Sequence, residues 1–190
     1  MADGAIPPDL AAAVKVVIFD VDGVLTDGGL YIGETAEGVA VELKRFEITD
    51  GLGVRMLMNA GLRVYLVSGR SSRATRIRAE ELGAEYYEAP HGFKLEVIET
   101  LRAKDNVEWS EIACICDDLA DLPILQRCGL PVAVANAVPE VKAVAKWQTR
   151  RSGGRGAGRE FAEALLEARG VWTDLVDAYC AERGGVSREA

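Results

Sequence analysis

Val14-Lys15-Val16-Val17-Ile18-Phe19 runs straight into Asp20-Val21-Asp22-Gly23, and that junction decides the fold. Apart from Lys15 the run is apolar and mostly β-branched, which predicts a buried parallel strand over Val14–Asp20. The strand ends on a carboxylate. A second carboxylate follows at Asp22, Gly23 turns the chain, and Thr26 comes next. Residues i and i+2 of a regular strand face the same way, so the spacing predicts two acids side by side. Such a pair repels, and burying it costs several kcal/mol per charge unless something compensates. A divalent cation is the usual compensation, and phosphate is the usual substrate for such an ion. A strand end with two solvated acids is the plain alternative, so the downstream sequence has to decide.

Outward from this strand, apolar runs and helical periods alternate. Leu30–Ile32 and Val39–Leu43 are short β-like runs around Gly33–Gly38, which predicts a β-hairpin flap at about 28–46. Asp50 is a plausible N-cap for a helix to about Asn59, stopped by Gly61. Leu62–Val67 is a second core strand, halted by Ser68-Gly69-Arg70. A helix over Ser72–Leu82, a short strand Glu85–Glu88, the loop Ala89–Gly92 and a helix Phe93–Lys104 follow. Ile112–Cys116 is the third core strand and ends in Asp117-Asp118. Then come a helix at about Leu122–Cys128, a strand Leu130–Ala135, a helix Val138–Ala145 and a short strand Trp147–Thr149. Residues Ser152–Arg159 are a glycine-rich basic loop. Glu160–Arg169 and Trp172–Glu182 are terminal helices, the second lying in a tail at about 171–190. The alternation predicts one α/β domain over 1–190: a Rossmann-like three-layer sandwich with a mostly parallel central sheet, the flap, and no inserted cap domain.

The chain has 190 residues, 49% of them hydrophobic and 27% charged, which suits a sizeable soluble core. A net charge of −8 argues against nucleic acid or an anionic membrane as partner. No apolar run approaches the ~20 residues of a membrane helix, and Met1–Leu10 lacks the basic start of a signal peptide. Cytoplasmic localisation is therefore expected. Cys114, Cys116, Cys128 and Cys180 lack zinc spacing and suit buried apolar positions. His91 is the only histidine, so a histidine-based nucleophilic mechanism would have to run through it.

Ligands of such sheets bind beyond the carboxyl ends of the strands. That rule gathers Asp20 and Asp22, then Ser68-Gly69-Arg70, then Asp117 and Asp118 with Asp121, at one edge, with Lys94 opening a helix between them. A magnesium ligated by oxygen, a nucleophile, an acid/base and donors to phosphoryl oxygens are the parts phosphoryl transfer needs. Each residue has a bland reading by itself: a turn at Ser68-Gly69, a solvated Lys94, a helix cap at Asp117-Asp118, a loop hydroxyl at Thr26. All of them together on one sheet edge need five coincidences.

These residues resemble the four motifs of the haloacid dehalogenase-like phosphohydrolases, in order: Asp20–Thr26, Ser68, Lys94, and Asp117-Asp118 with Asp121. With Asp20–Gly28, Asp50–Gly53, Ser68–Arg70, Lys94-Leu95, Asp117–Leu119 and Gly153–Ala157, the chain also resembles that family's capless 3-deoxy-D-manno-octulosonate 8-phosphate phosphatases. The resemblance implies Asp20 as nucleophile and Asp22 as acid/base. It implies magnesium (Mg2+) held by Asp20, the Asp22 carbonyl and Asp117, with Asp118 and Asp121 in support. Ser68, the Gly69 amide and Lys94 would bind the phosphoryl oxygens, with Thr26 and Arg155 as further candidates. Arg70, where relatives acting on nine-carbon keto sugars tend to carry glutamate, would meet a substrate carboxylate, and Arg159 could assist. Cys116 departs from the family's usual glycine, and His91-Gly92-Phe93 departs from its usual loop. The resemblance further implies a small sugar phosphate as substrate, a homotetramer with flaps packed together, and a place on the route to lipopolysaccharide. A nine-carbon sugar acid 9-phosphate, or a non-catalytic tetramerisation module, are the competing readings.

Overall fold

The computed structural model describes residues 4–185. Positions 1–3, and 186–190 of the predicted tail, lie outside the described residues. A short helix, α1 (Pro8–Ala13), opens the chain, with Pro8 in its first turn. It is too short to show a periodic apolar face, and the sequence pattern gave no sign of it. Strand β1 (Val16–Asp20) follows, every residue buried.

Helix α2 (Ile48–Asn59) leads to β4 (Arg63–Ser68), and α3 (Arg73–Leu82) leads to β5 (Glu85–Glu88). Then α4 (Lys94–Asp105) crosses to β6 (Ile112–Cys116), α5 (Leu122–Leu125) to β7 (Leu130–Ala133), and α6 (Pro139–Val144) to β8 (Trp147–Gln148). The sheet order is β5-β4-β1-β6-β7-β8 and every pairing is parallel. The connections from β1 run outward to β4 and β5. The chain then returns across the sheet to β6 and runs out the other way. Right-handed crossovers therefore place α2 and α3 on one face and α4, α5 and α6 on the other. The direction reverses between β1 and β6, so the crevice at their carboxyl ends is the topological switch point.

Helix α7 (Ala157–Ala168) packs beside α2, and α8 (Trp172–Ala181) packs on α7. Phe161 of α7 meets Phe19 of β1 edge-on at 6.0 Å, which seats α7 under the strand that carries Asp20. The flap is the separate two-stranded sheet β2 (Tyr31–Glu34) and β3 (Ala40–Leu43). An isolated bridge between Thr26 and Phe46 closes its base. No inserted domain interrupts the described elements.

Some boundaries differ from the sequence pattern for local reasons. Helix α2 starts at Ile48 because Glu47 caps it, its carboxylate accepting from Ile48 N at 3.1 Å. Asp50 is thus not the N-cap. It is buried in the first turn, and its carboxylate accepts from Arg159 N at 2.8 Å, at the start of α7. That borrowed cap lets α7 begin at Ala157, three residues ahead of the apolar period. The predicted helix at Leu122–Cys128 shrinks to one turn, preceded by a 3-10 turn at Leu119–Asp121.

Candidate active site

Asp20 and Asp22 do not lie side by side. The strand stops at Asp20, and the chain then makes one wide turn, closed by Thr26 N donating to Val21 O at 3.0 Å. Asp22 sits in that turn with extended ψ, and Gly23 takes a φ of 94°, which favours glycine. The turn breaks the strand's alternation, so the two carboxylates enter different surroundings.

Asp20 faces the sheet's switch point. One of its oxygens accepts from Val21 N at 2.7 Å, and the same oxygen meets Lys94 Nζ at 2.7 Å. Lys94 opens α4 and is buried, and its ammonium also donates to Asp121 Oδ1 at 2.6 Å. Burial alone would lower the lysine's pKa, but Asp20 and Asp121 outweigh it and hold the ammonium above its ordinary value. Asp117 lies against Gly23, where an added Cβ would overlap its carboxylate. Burial, then the neighbouring Asp20 charge, push Asp117 up to about 8. The same two causes raise Asp121 to about 6, with Lys94 pulling the other way.

Asp20, Asp117 and Asp121 each offer an oxygen within 4.8 Å of the others. Three carboxylates against one ammonium leave a deficit of positive charge. Asp117 Oδ1 and Asp121 Oδ2 are buried without a hydrogen-bond partner. Orphaned buried acceptors of this kind are expensive, and a hard divalent cation with oxygen ligands removes both the deficit and the orphans. The residues therefore fit a magnesium ion.

The comparisons with known proteins agree with this geometry. Residues 89–157, which carry Lys94, Asp117 and Asp121, match the model of a haloacid dehalogenase-like hydrolase. The chain is 37% identical over 160 residues to the 3-deoxy-D-manno-octulosonate 8-phosphate phosphatase KdsC of Escherichia coli K12, covering 84% of this chain and 83% of that one. The Yersinia pestis phosphatase of the same name is 38% identical over 159 residues, with the same coverage. Among solved structures, the Moraxella catarrhalis phosphatase in complex with magnesium, phosphate and KDO superposes with a TM-score of 0.83 at 34% identity, covering 90% of this chain and 97% of that one. The chain belongs to the haloacid dehalogenase-like phosphatases, in the 3-deoxy-D-manno-octulosonate 8-phosphate branch. It is a phosphoric monoester hydrolase.

The remaining predicted residues of this phosphatase fall into two groups. Ser68 ends β4 in the site, its hydroxyl donating to Asp22 Oδ2 at 3.0 Å, and Gly69 follows it at the turn. Arg70 is half-exposed and lies 3.4 Å from Glu42 of the flap. Asp118 is exposed. It caps the next 3-10 turn by accepting from Leu119 N at 2.7 Å, so Lys94's second acid is Asp121. Cys116 is fully buried in β6, where burial pushes its thiol up. His91 takes a φ of 56° in the turn before Lys94 and is exposed.

Two of the predicted stretches carry a packing role. Thr26 is fully buried, and its hydroxyl donates to Val21 O and accepts from Gly23 N and Gly28 N. It staples the turn. The glycine-rich loop is likewise a packing device. A Cβ on Gly153 would overlap Gly23 O, and one on Gly154 would overlap the Thr26–Asp27 backbone. Arg155 is exposed on that loop, while Arg159 pairs with Glu163 at 2.6 Å and stacks on Trp172.

Two side chains escaped the sequence reading. Asn136 ties the loop to the turn, donating to Gly23 O at 3.1 Å and accepting from Gly153 N at 2.6 Å. Lys44, just after β3, is buried with its ammonium 2.6 Å from Asp22 Oδ1. Its signal was the hairpin's alternation, which puts Glu42 and Lys44 on one face.

Proposed function

We propose that this phosphatase hydrolyses 3-deoxy-D-manno-octulosonate 8-phosphate to the free sugar acid and phosphate, with magnesium, through an aspartyl-phosphate. The observation that carries the reading is the buried Asp20–Lys94–Asp121 chain beside orphaned Asp117, in a chain similar over nearly its whole length to phosphatases of that name.

The phosphoryl group sits at the carboxyl end of β1, its oxygens met by the Lys94 ammonium, the Ser68 hydroxyl and the Gly69 amide. Asp20, Asp117 and the Asp22 carbonyl would hold the magnesium, with Asp121 in support. When bound, the ion screens the phosphoryl oxygens from the Asp20 carboxylate and draws charge from phosphorus. Asp20 attacks phosphorus through the oxygen not committed to Lys94. Asp22 gives its proton to the leaving sugar oxygen, then takes one from the attacking water. Asp118, on the rim, orients this loop by capping it. Arg70 reaches toward the sugar's carboxylate once released from Glu42, and exposed Arg155 adds positive charge near the entrance.

The whole chain, 1–190, acts as one catalytic unit with the flap and the C-terminal tail as accessories. An uncapped site needs a cover to exclude water. The flap's apolar outer face supports a homotetramer with hairpins packed together, with each site covered from a neighbour. No described helix is long and apolar enough to cross a membrane. The reading places the enzyme in the cytoplasm on the route to lipopolysaccharide.

The test is phosphate release from the octulosonate ester beside a panel of sugar phosphates, including the nine-carbon acid 9-phosphate, with magnesium and with excess chelator. A magnesium-dependent preference for the eight-carbon ester supports the reading. A preference for another ester moves the pathway and keeps the chemistry.

A further inference from the structure

Lys44 is the charged residue that the phosphoryl chemistry leaves unused. Its side chain is 0% exposed, although it springs from the root of a hairpin that is otherwise open to solvent. An ammonium is buried at high cost unless opposite charge meets it. Here Nζ lies 2.6 Å from Asp22 Oδ1 and 3.9 Å from Glu42 Oε1, and donates to Thr75 Oγ1 of α3 at 3.3 Å. The other Asp22 oxygen accepts from Ser68 Oγ at 3.0 Å. The carboxyl group is thus gripped on both sides, from β4 and from the flap. Asp22 stands on a turn rather than in the strand, so backbone geometry alone does not choose its rotamer.

We propose that Lys44 is the positioning residue of Asp22, holding the acid/base carboxyl group on the leaving-group side of the phosphoryl site. The proposal rests on the role given to Asp22 above. In the first step a bond forms from Asp20 to phosphorus, the ester P–O bond breaks, and the Asp22 proton passes to the sugar oxygen. The carboxylate that remains is the species paired with Lys44. In the second step water adds to phosphorus, its proton returns to Asp22, and the Asp20–phosphorus bond breaks. Lys44 gives and takes no proton. It fixes the carboxyl group in place and offsets its charge between the steps. Because Lys44 belongs to the flap, the hairpin becomes part of the reaction as well as its cover.

A merely structural lysine and a positioning lysine differ in leaving-group dependence. An alkyl phosphate needs the Asp22 proton, whereas p-nitrophenyl phosphate leaves readily without it. Lys44→Met, Lys44→Arg and, as benchmark, Asp22→Asn are assayed on the octulosonate ester and on p-nitrophenyl phosphate. Lys44→Met is expected to lower kcat on the alkyl ester by about 100-fold and on the aryl ester by no more than about fivefold, with Asp22→Asn showing the same split. Lys44→Arg should recover most of the alkyl activity. Equal losses on both esters would mean that Lys44 only fastens the flap, and overturn the proposal; so would an unaffected alkyl rate. If the wild-type enzyme prefers a different sugar phosphate, the substrate reading fails but the split is measured on that ester. A crystal structure of Lys44→Met gives an answer independent of any substrate. The Asp22 carboxylate should turn away from Ser68, and persistence of that contact would refute the positioning role.

Discussion

At the ends of β1 and β6, Asp20, Lys94 and Asp121 are buried and locked in a chain of ion pairs, whereas Tyr31, Ile32, Val39 and Leu43 of the flap are 63%, 75%, 60% and 61% exposed. The strand ends keep polar groups inside, and the hairpin keeps apolar groups outside. Each reverses the usual partition of side chains. The strand ends can do so because a parallel sheet holds them rigid and a cation can complete them. The hairpin can do so, in the proposed assembly, because its outer face would pack on a second copy of the chain. An ion would complete the first region and, in the proposed assembly, a neighbouring copy would complete the second. On the proposed reading, chemistry is carried by the sheet and cover and selectivity by the flap, with Lys44 and Glu42 as the links.

The sharpest way to break this division is at the nucleophile. Asp20→Asn should lower kcat on the order of 10⁴-fold or more on every phosphate ester, because it removes the covalent step for all of them. Folding should survive, since Lys94 keeps Asp121 and one of three mutually repelling acids becomes neutral. Loss of folding measured by circular dichroism, or loss of activity on one ester alone, would show that the strand ends are not a substrate-independent engine.

Magnesium sharpens the same contrast. Binding only the folded chain, it should stabilise by about 2.7 kcal/mol at 100 times its Kd, which is roughly 5–10 °C in Tm for a chain of this size. Asp117→Ala should abolish that shift. The metal-free protein should show the opposite pH trend to most acid-rich proteins. Folded Asp117 is raised to about 8, and folded Asp121 and Asp50 to about 6, from an ordinary value of 3.8. Across that window the folded state holds more protons than the unfolded one, so stability falls as pH rises from about 4 toward 8. Magnesium must displace the Asp117 proton, so its affinity should rise as pH approaches 8. Melting curves at several pH values, with magnesium and with chelator, check both signs. A metal-free Tm that climbs through this range would contradict the picture of orphaned acids.

The hairpin responds to a different perturbation. Tyr31 and Leu43 pair directly across β2 and β3, so their side chains share one exposed face. Replacing both with Asp should leave the monomer folded and reduce the particle mass measured by light scattering. Turnover should fall less than about tenfold on p-nitrophenyl phosphate and more on the larger sugar ester, which makes the wider contact. An unchanged mass would leave the flap without a neighbour and move its apolar face to some other role.

How far the sequence was readable follows from how local each interaction is. Strand β1, its terminal Asp20, and the acids after β6 were legible because an apolar run and its punctuation are adjacent in the chain. Lys94 was legible because it opens a helix at the sheet's carboxyl edge. Asp121 was underweighted against Asp118, since only the 3-10 turn decides that Asp118 caps and Asp121 turns inward. The turn bonds of Thr26 were not legible, because a hydroxyl near two acids reads equally as a ligand or as a turn staple until the turn is seen. Lys44 reaches Asp22 across 22 positions, with only the hairpin's alternation to hint at it, while Asn136 and the contact between Asp50 and α7 act across 113 and 109 positions, by their contacts to Gly23 and Arg159, and no local pattern announces them.

Asp50 offers the smallest and most discriminating effect. It lies outside the Asp20–Asp117–Asp121 cluster yet holds the start of α7, whose preceding loop packs on the Gly23–Asp27 turn. Its Oδ2 is buried without a partner, and burial, against hydrogen bonds from Arg159, Gly156 and Gly158, raises it to about 6. Asp50→Ala removes an acceptor for the first amides of α7 and should cost about 1–2 kcal/mol, a fall of roughly 2–8 °C in Tm. Asp50→Asn keeps an acceptor for Arg159 N and removes a buried charge, so its Tm should change little near pH 5 and lie above that of the parent at pH 8. The parent loses stability as it ionises, and the amide does not. If both variants lose stability equally, the charge of Asp50 rather than its acceptor geometry holds α7 in place. The rigidity of the strand-end site would then depend on an electrostatic anchor that weakens in salt, instead of on a cap that does not.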